Sequence, residues 1–244
     1  MPRLPAEPLS VGAVLFDLDG TLLDTIPDLH AAACGMLRDL GRPELDAETI
    51  SHYVGRGIPN LVKRVLAGSL AAADDHLPVP QEALDSFKRH YTRENGRHAV
   101  IYPGVLEGLK ALKAKGFPLA VITNKAAAFA LPLLEMTGLA SYFEVVVSGD
   151  LLPKPKPDAM PLIWACGRLN VSPSDAVFVG DSVNDFLSAR AAGCHVFLLP
   201  YGYNEGRKVQ ELDCDAIVPT VESAVKHLRV INRTHGNTSP QSAS

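Results

Sequence analysis

Short, almost wholly apolar runs rich in β-branched residues recur along the chain: residues 11–17 (VGAVLFD), 119–123 (LAVIT), 143–148 (FEVVVS), 176–180 (AVFVG) and 195–199 (HVFLL). Runs without polar alternation predict strands buried on both faces, as in a parallel sheet. Helical patterns lie between them. Val105, Leu106, Leu109 and Leu112 fall on one helical face, and 126–136, 160–169 and 186–192 supply three more segments. Strands alternating with helices of this length predict an α/β fold with a Rossmann-like parallel sheet core.

One connection breaks that rhythm. About 100 residues separate the first strand from the next, where a simple crossover needs a dozen or more. The intervening pattern is helical over 29–40, 47–54, 59–72 and 81–95. Pro59 suits a first turn, and Leu61, Val62, Val65 and Leu66 then form an apolar stripe. A structureless loop of that length is implausible, so the chain divides into an α/β core at 11–25 and 100–231 and an inserted helical cap domain at 26–99. The Ser-, Thr-, Asn- and Gly-rich stretch 232–244 reads as a disordered tail.

Composition narrows the class further. The 244 residues are 47% hydrophobic and 20% charged, which excludes wholesale disorder, and the net charge of −4 argues against a general nucleic-acid binder. No apolar run of about 18 residues predicts a membrane span, and the Pro-rich start lacks the apolar stretch of a secretory signal. Cys34, Cys166, Cys194 and Cys214 show no metal spacing and read as buried thiols of a cytoplasmic protein. A phosphate handled by so acidic a chain would need a local site or a metal.

Candidate chemistry gathers where the strands end. The first strand empties into Asp17-Leu18-Asp19-Gly20-Thr21. Extended geometry puts Asp17 and Asp19 on the same side, where two carboxylates repel unless a cation separates them or one is protonated. The second strand ends in Thr123-Asn124-Lys125, either an anion seat or ordinary helix-capping chemistry. After the third comes Lys154-Pro155-Lys156-Pro157, and the fourth ends in Gly180-Asp181-Ser182-Val183-Asn184-Asp185. Asp181 could complete an oxygen site for Mg²⁺.

In that order these motifs resemble the haloacid-dehalogenase-like hydrolase superfamily, and the helical insert is similar to that family's smaller cap domain. The resemblance implies a Mg²⁺-dependent phosphoric monoester hydrolase. Asp17 would be the nucleophile that forms an aspartyl-phosphate, and Asp19 the general acid and then base. Asp17, the backbone carbonyl of Asp19, and Asp181 would hold Mg²⁺, with Asp185 supporting the metal site. Thr123, Asn124 and a lysine would bind the phosphoryl oxygens. The family spacing of a Lys-Pro motif about 25 residues before the metal aspartate selects Lys156 over Lys154.

Further details look like the bacterial phosphoglycolate phosphatase subgroup: DLDGTLLD at 17–24, YVGRG at 53–57, YPGV at 102–105 and PYGYN at 200–204. The resemblance thus implies 2-phosphoglycolate, a small-molecule phosphate ester, as substrate. Its carboxylate calls for a donor from the cap, with Arg56 and Arg64 as candidates. The alternatives are a sugar-phosphate phosphatase or a phosphomutase, then a phosphonatase or a non-enzymatic phosphate-binding module. Thr21, where mutases commonly carry Val, favours hydrolysis. Oligomeric state is not readable from these residues.

Overall fold

The computed structural model describes residues 4, 7–74 and 78–231, so the tail expected at 232–244 lies outside the described residues. In chain order the elements are β1 (Leu9–Val11), β2 (Ala13–Phe16), β3 (Leu23–Asp24), α1 (Ile26–Asp39), α2 (Ala47–Tyr53), α3 (Gly57–Ala67), α4 (Gln81–Glu94), β4 (Val100–Ile101), α5 (Val105–Ala114) and β5 (Leu119–Ile122). There follow α6 (Ala127–Met136), β6 (Val145–Val147), α7 (Met160–Arg168), β7 (Ala176–Gly180), α8 (Val183–Ala192), β8 (His195–Leu198), β9 (Ala216–Ile217), α9 (Val221–Val225) and β10 (Leu228–Val230).

A six-stranded sheet runs in the order β6-β5-β2-β7-β8-β9, parallel at every pairing. Alternation along its strands explains why they read as unbroken apolar runs. Val14 and Phe16 of β2, with Val177 and Val179 of β7, point into a core shared with α5, α6 and α9. Leu15 and Phe178 point to the opposite face and pack against Leu162 and Cys166 of α7 and Ala189 of α8. Both faces are covered, so no position on these strands has use for a polar side chain. The fold is thus α/β with a Rossmann-like parallel sheet.

Some details depart from the sequence reading. The run 11–17 is not one strand. The chain bends at Gly12, whose N–H bonds Asp175 O, and β1 leaves the main sheet to pair with β10. The helix expected over 59–72 stops at Ala67. Gly68, at φ +62°, takes the left-handed conformation that ends helices, and a short 3₁₀ turn follows at Leu70–Asp74.

Helices α1 to α4 bury one another's apolar faces. Leu29, Ala32, Ala33, Met36 and Leu37 recur at helical spacing on α1 and meet Ala83, Phe87 and Tyr91 of α4 and Leu61, Val62 and Val65 of α3. The chain leaves the sheet through β3 and returns through β4, and these pair antiparallel, Leu23 opposite Ile101. Asp28 reinforces the junction. Fully buried on α1, it accepts hydrogen bonds at both oxygens, from Gly96 N and His98 N, each 2.8 Å. Replacing Asp28 by Ala would leave both N–H groups without that partner. A loss of about 2 kcal/mol or more in unfolding free energy is expected, checked by urea denaturation.

Candidate active site

The carboxyl ends of β2, β5 and β7 converge beneath α1 to α3, and each strand delivers its next residues into the same space. Asp17 follows β2, anchored by its own N–H to Val179 O of β7 (3.0 Å). Thr123 follows β5, with its N–H on Val147 O (2.9 Å). Asp181 follows β7. The crevice at the carboxyl edge of such a sheet is where ligands bind in open α/β folds.

Lys156 holds the acids together. Its ammonium is buried and lies 2.8 Å from Asp17 Oδ1 and 2.7 Å from Asp185 Oδ1. The other oxygen of Asp185 accepts from Asp181 N (3.1 Å), Ser182 N (3.0 Å) and Ser182 Oγ (2.7 Å), closing a capping box at the start of α8. Asp181 accepts from Thr21 Oγ1 (2.5 Å) and from Tyr203 N (2.6 Å). Lys154, by contrast, lies exposed and pairs with Asp158 at 3.4 Å.

Charge is out of balance here. The buried Lys156 ammonium pairs with Asp17 and Asp185, while one oxygen from each of Asp17, Asp181 and Asp185 lies within 4.8 Å of the other two, close enough to hold a metal ion. Burial, opposed by Lys156 and reinforced by Asp185 and Asp19, pushes Asp17 up to about 7. Burial, then Asp185 and Asp17, raises Asp181 well above the carboxylate range. Lys156 is raised too: burial works against its charge, but Asp17 and Asp185 outweigh it. A surplus of buried, mutually repelling oxygens fits a hard divalent cation such as Mg²⁺. Asp185 is in the cluster, yet both its oxygens are already engaged by Lys156 and by backbone.

Asp19 sits opposite. Its Oδ1 accepts from Lys125 Nζ and from Thr25 Oγ1, both at 2.6 Å. Asn124 is spent as a brace: its Nδ2 donates to Lys156 O and to Gly55 O (2.9 Å each), and its Oδ1 accepts from Lys156 N (3.0 Å). Thr123 Oγ1 accepts from Lys125 N (3.1 Å) and keeps its own proton to donate. Backbone approach matters most at Gly20 and Gly202, since a Cβ at either position would overlap Asp181's carboxylate.

The two arginines proposed for the cap turn elsewhere. Arg64 is buried on α3, with Nη2 2.6 Å from Glu205 Oε1 and Nη1 on Tyr53 O at 3.1 Å. Arg56 reaches the same Glu205 at 3.4 Å and lines an open cleft with Asn60, Lys154 and Asp158. Neither lines the cavity above Asp17 and Asp19. Lys125, Tyr91, Thr25, Tyr203 and Glu205 were not singled out from sequence as site residues. Only Lys125 and Tyr203 carried a signal, as neighbours within motifs.

A family model described as haloacid dehalogenase-like hydrolase matches residues 14–199. The chain belongs to the haloacid dehalogenase-like hydrolase family. Within the family it is similar to curated phosphoglycolate phosphatases. The protein of Nitrosospira multiformis is 56% identical over 219 residues, covering 90% of this chain and 96% of that one. The protein of Thiobacillus denitrificans is 52% identical, covering 89% and 95%. Among solved structures, a predicted phosphoglycolate phosphatase from Haemophilus somnus superposes with a TM-score of 0.80 at 33% identity, over 88% of this chain and 97% of that one. The chain is therefore a hydrolase of this family, close to bacterial phosphoglycolate phosphatases. Among the described residues no helix is long and apolar enough to cross a membrane.

The charge surplus makes a prediction that needs no substrate. Asp181→Asn keeps the shape of the side chain and takes one carboxylate out of the cluster. Mg²⁺ should then raise the Tm of the parent and not of the variant, as read by thermal unfolding with and without the ion.

Proposed function

We propose that the protein is a Mg²⁺-dependent phosphatase of small phosphate monoesters, with 2-phosphoglycolate as its substrate, working through an aspartyl-phosphate. The observation that carries this reading is Asp17: a carboxylate at a strand end, lining a cavity, held at one oxygen by a buried lysine beside two further acids. The names of the relatives at 56% and 52% identity support the choice of ester.

Among the described residues both of Asp17's hydrogen bonds, from Leu18 N (2.7 Å) and from Lys156, fall on Oδ1. Oδ2 is left to attack phosphorus. The new P–O bond forms as the ester oxygen leaves, taking a proton from Asp19. Asp19 then removes a proton from water, which attacks the phosphoryl group and frees Asp17. Lys125 and Thr25 hold Asp19 in place by one oxygen, so its other oxygen serves both transfers. Lys156 and the Thr123 hydroxyl neutralise and orient the phosphoryl oxygens, and Asn124 contributes by fixing Lys156.

Mg²⁺, when bound by Asp17, the Asp19 carbonyl and Asp181, supplies charge that lets one anion approach another. Asp185 supports that set through Lys156 and the backbone. Residues 26–99 act as a cap over a core formed by 11–25 and 100–231, and Gly55 O, bonded by Asn124, brings the cap loop onto the site. The absence of long apolar helices among the described residues is in keeping with a cytoplasmic enzyme.

Phosphate release from a panel of esters tests the reading: 2-phosphoglycolate should be turned over fastest, ahead of sugar phosphates and pyrophosphate, and no release from any ester overturns it. Asp17→Asn should lower turnover by about 10³-fold or more, once mass spectrometry has excluded deamidation. EDTA should abolish turnover and added Mg²⁺ restore it.

A further inference from the structure

Between the acids and the helices lies a cavity of about 50 Å³. Leu29, Val54, Ile58 and Leu61 make much of its wall apolar. Beyond the residues already placed at the phosphate, Lys125 and Tyr91 add polar side chains to that lining. Lys125 is the one cationic residue among the described residues that line it. One of its three ammonium protons goes to Asp19, 2.6 Å away. Tyr91, fully buried on α4, also lines the cavity. Its hydroxyl lies close to the Lys125 ammonium yet has no hydrogen-bond partner of good geometry among the described residues.

The Lys125 ammonium can only donate to that hydroxyl, so the phenol proton is left without an acceptor, which is costly when buried, and Tyr91's place on the cavity wall allows a ligand to supply one. The packing around it is settled: the Tyr91 ring is held 4.7 Å from Phe129 and 5.6 Å from Phe87, centroid to centroid, and Lys125 Nζ lies 5.1 Å from the same ring. Burial, against the pull of Lys125, pushes the phenol up to about 12, so it remains a donor at neutral pH.

The geometry points to a carboxylate subsite made by Lys125 Nζ and Tyr91 Oη, which selects phosphate esters carrying a carboxylate close to the phosphate. This deepens the phosphatase reading and rests on it for the position of the phosphate. The cap arginines are not needed for the task, since both are turned to Glu205. The apolar stretch from Leu29, Val54, Ile58 and Leu61 strengthens the selection, because on that side of the cavity a sugar's hydroxyls would meet no side-chain partner.

Calorimetry on the full chain with Mg²⁺ tests it. The probes are 3-phosphonopropionate, a non-hydrolysable analogue of 2-phosphoglycolate, and propylphosphonate, which lacks the carboxylate. The parent should prefer the first by about tenfold or more, the worth of a charge-assisted hydrogen bond. Tyr91→Phe keeps the ring packing and should cut that preference several-fold. Lys125→Met should remove most of it, even if Asp19 shifts and both ligands bind more weakly. No preference in the parent, or a preference kept in both variants, overturns the subsite. A preference lost with Lys125 but intact in Tyr91→Phe removes Tyr91 and overturns the two-donor form. These outcomes do not depend on turnover, so the phosphate-release panel can fail or succeed separately.

Discussion

The buried Lys156 ammonium, shared by Asp17 and Asp185, is the interaction on which the rest of the site depends. Three carboxylates within 4.8 Å of one another, taken out of water, would repel strongly without it. The lysine neutralises part of that charge and fixes which oxygens stay available. Asp185 is turned away from ligand duty by its bonds to Lys156 and to the start of α8, while Asp17 keeps an oxygen free. Asn124 completes the arrangement by gripping the Lys156 backbone from the end of β5. A position in the sheet is thereby converted into a position for a charge.

Such a cluster is stable only because its scaffold is stiff. The central strands β2, β5 and β7 are buried on both faces, so their ends are fixed by packing on two sides at once. The residues just beyond those ends inherit that precision without contributing to the core themselves. Stability is given up locally: Asp17 and Asp181 are held in the very surroundings that make their charge unfavourable. An arrangement of this kind suits a cation and an anion together, whose charges offset what burial costs the acids.

The helical insert has a second role. Its two crossings to the sheet are zipped into a short antiparallel ribbon, and Asp28 fastens α1 to the returning chain. Arg64 and Arg56 meet Glu205, which follows β8, so the α3 region and the loop after β8 are joined by ion pairs at the margin of the site. The apolar wall facing Asp17 and Asp19 is then supplied mainly by α1 and α3.

Much of this was legible in the residues. Apolar runs ending in DLDGT, TN and GDSVND located the strands and the acids they carry, because strand burial and strand-end chemistry are both local properties of a few consecutive residues. The choice of Lys156 over Lys154 came from family spacing; the structure has Lys156 buried against Asp17 and Lys154 exposed beside Asp158. What the residues could not reveal was long-range pairing. Whether Arg64 faces a ligand or Glu205, 141 positions away, depends on how a helix lies over a loop. The same holds for Tyr91, ordinary in sequence, and Lys125, which sits beside a motif: they are brought together only when α4 packs beside the end of β5. Periodicity and motif determined the sheet and its acidic edge; the tertiary structure alone decided which donors meet above it, because side-chain partners across domains follow from packing and not from neighbours in the chain.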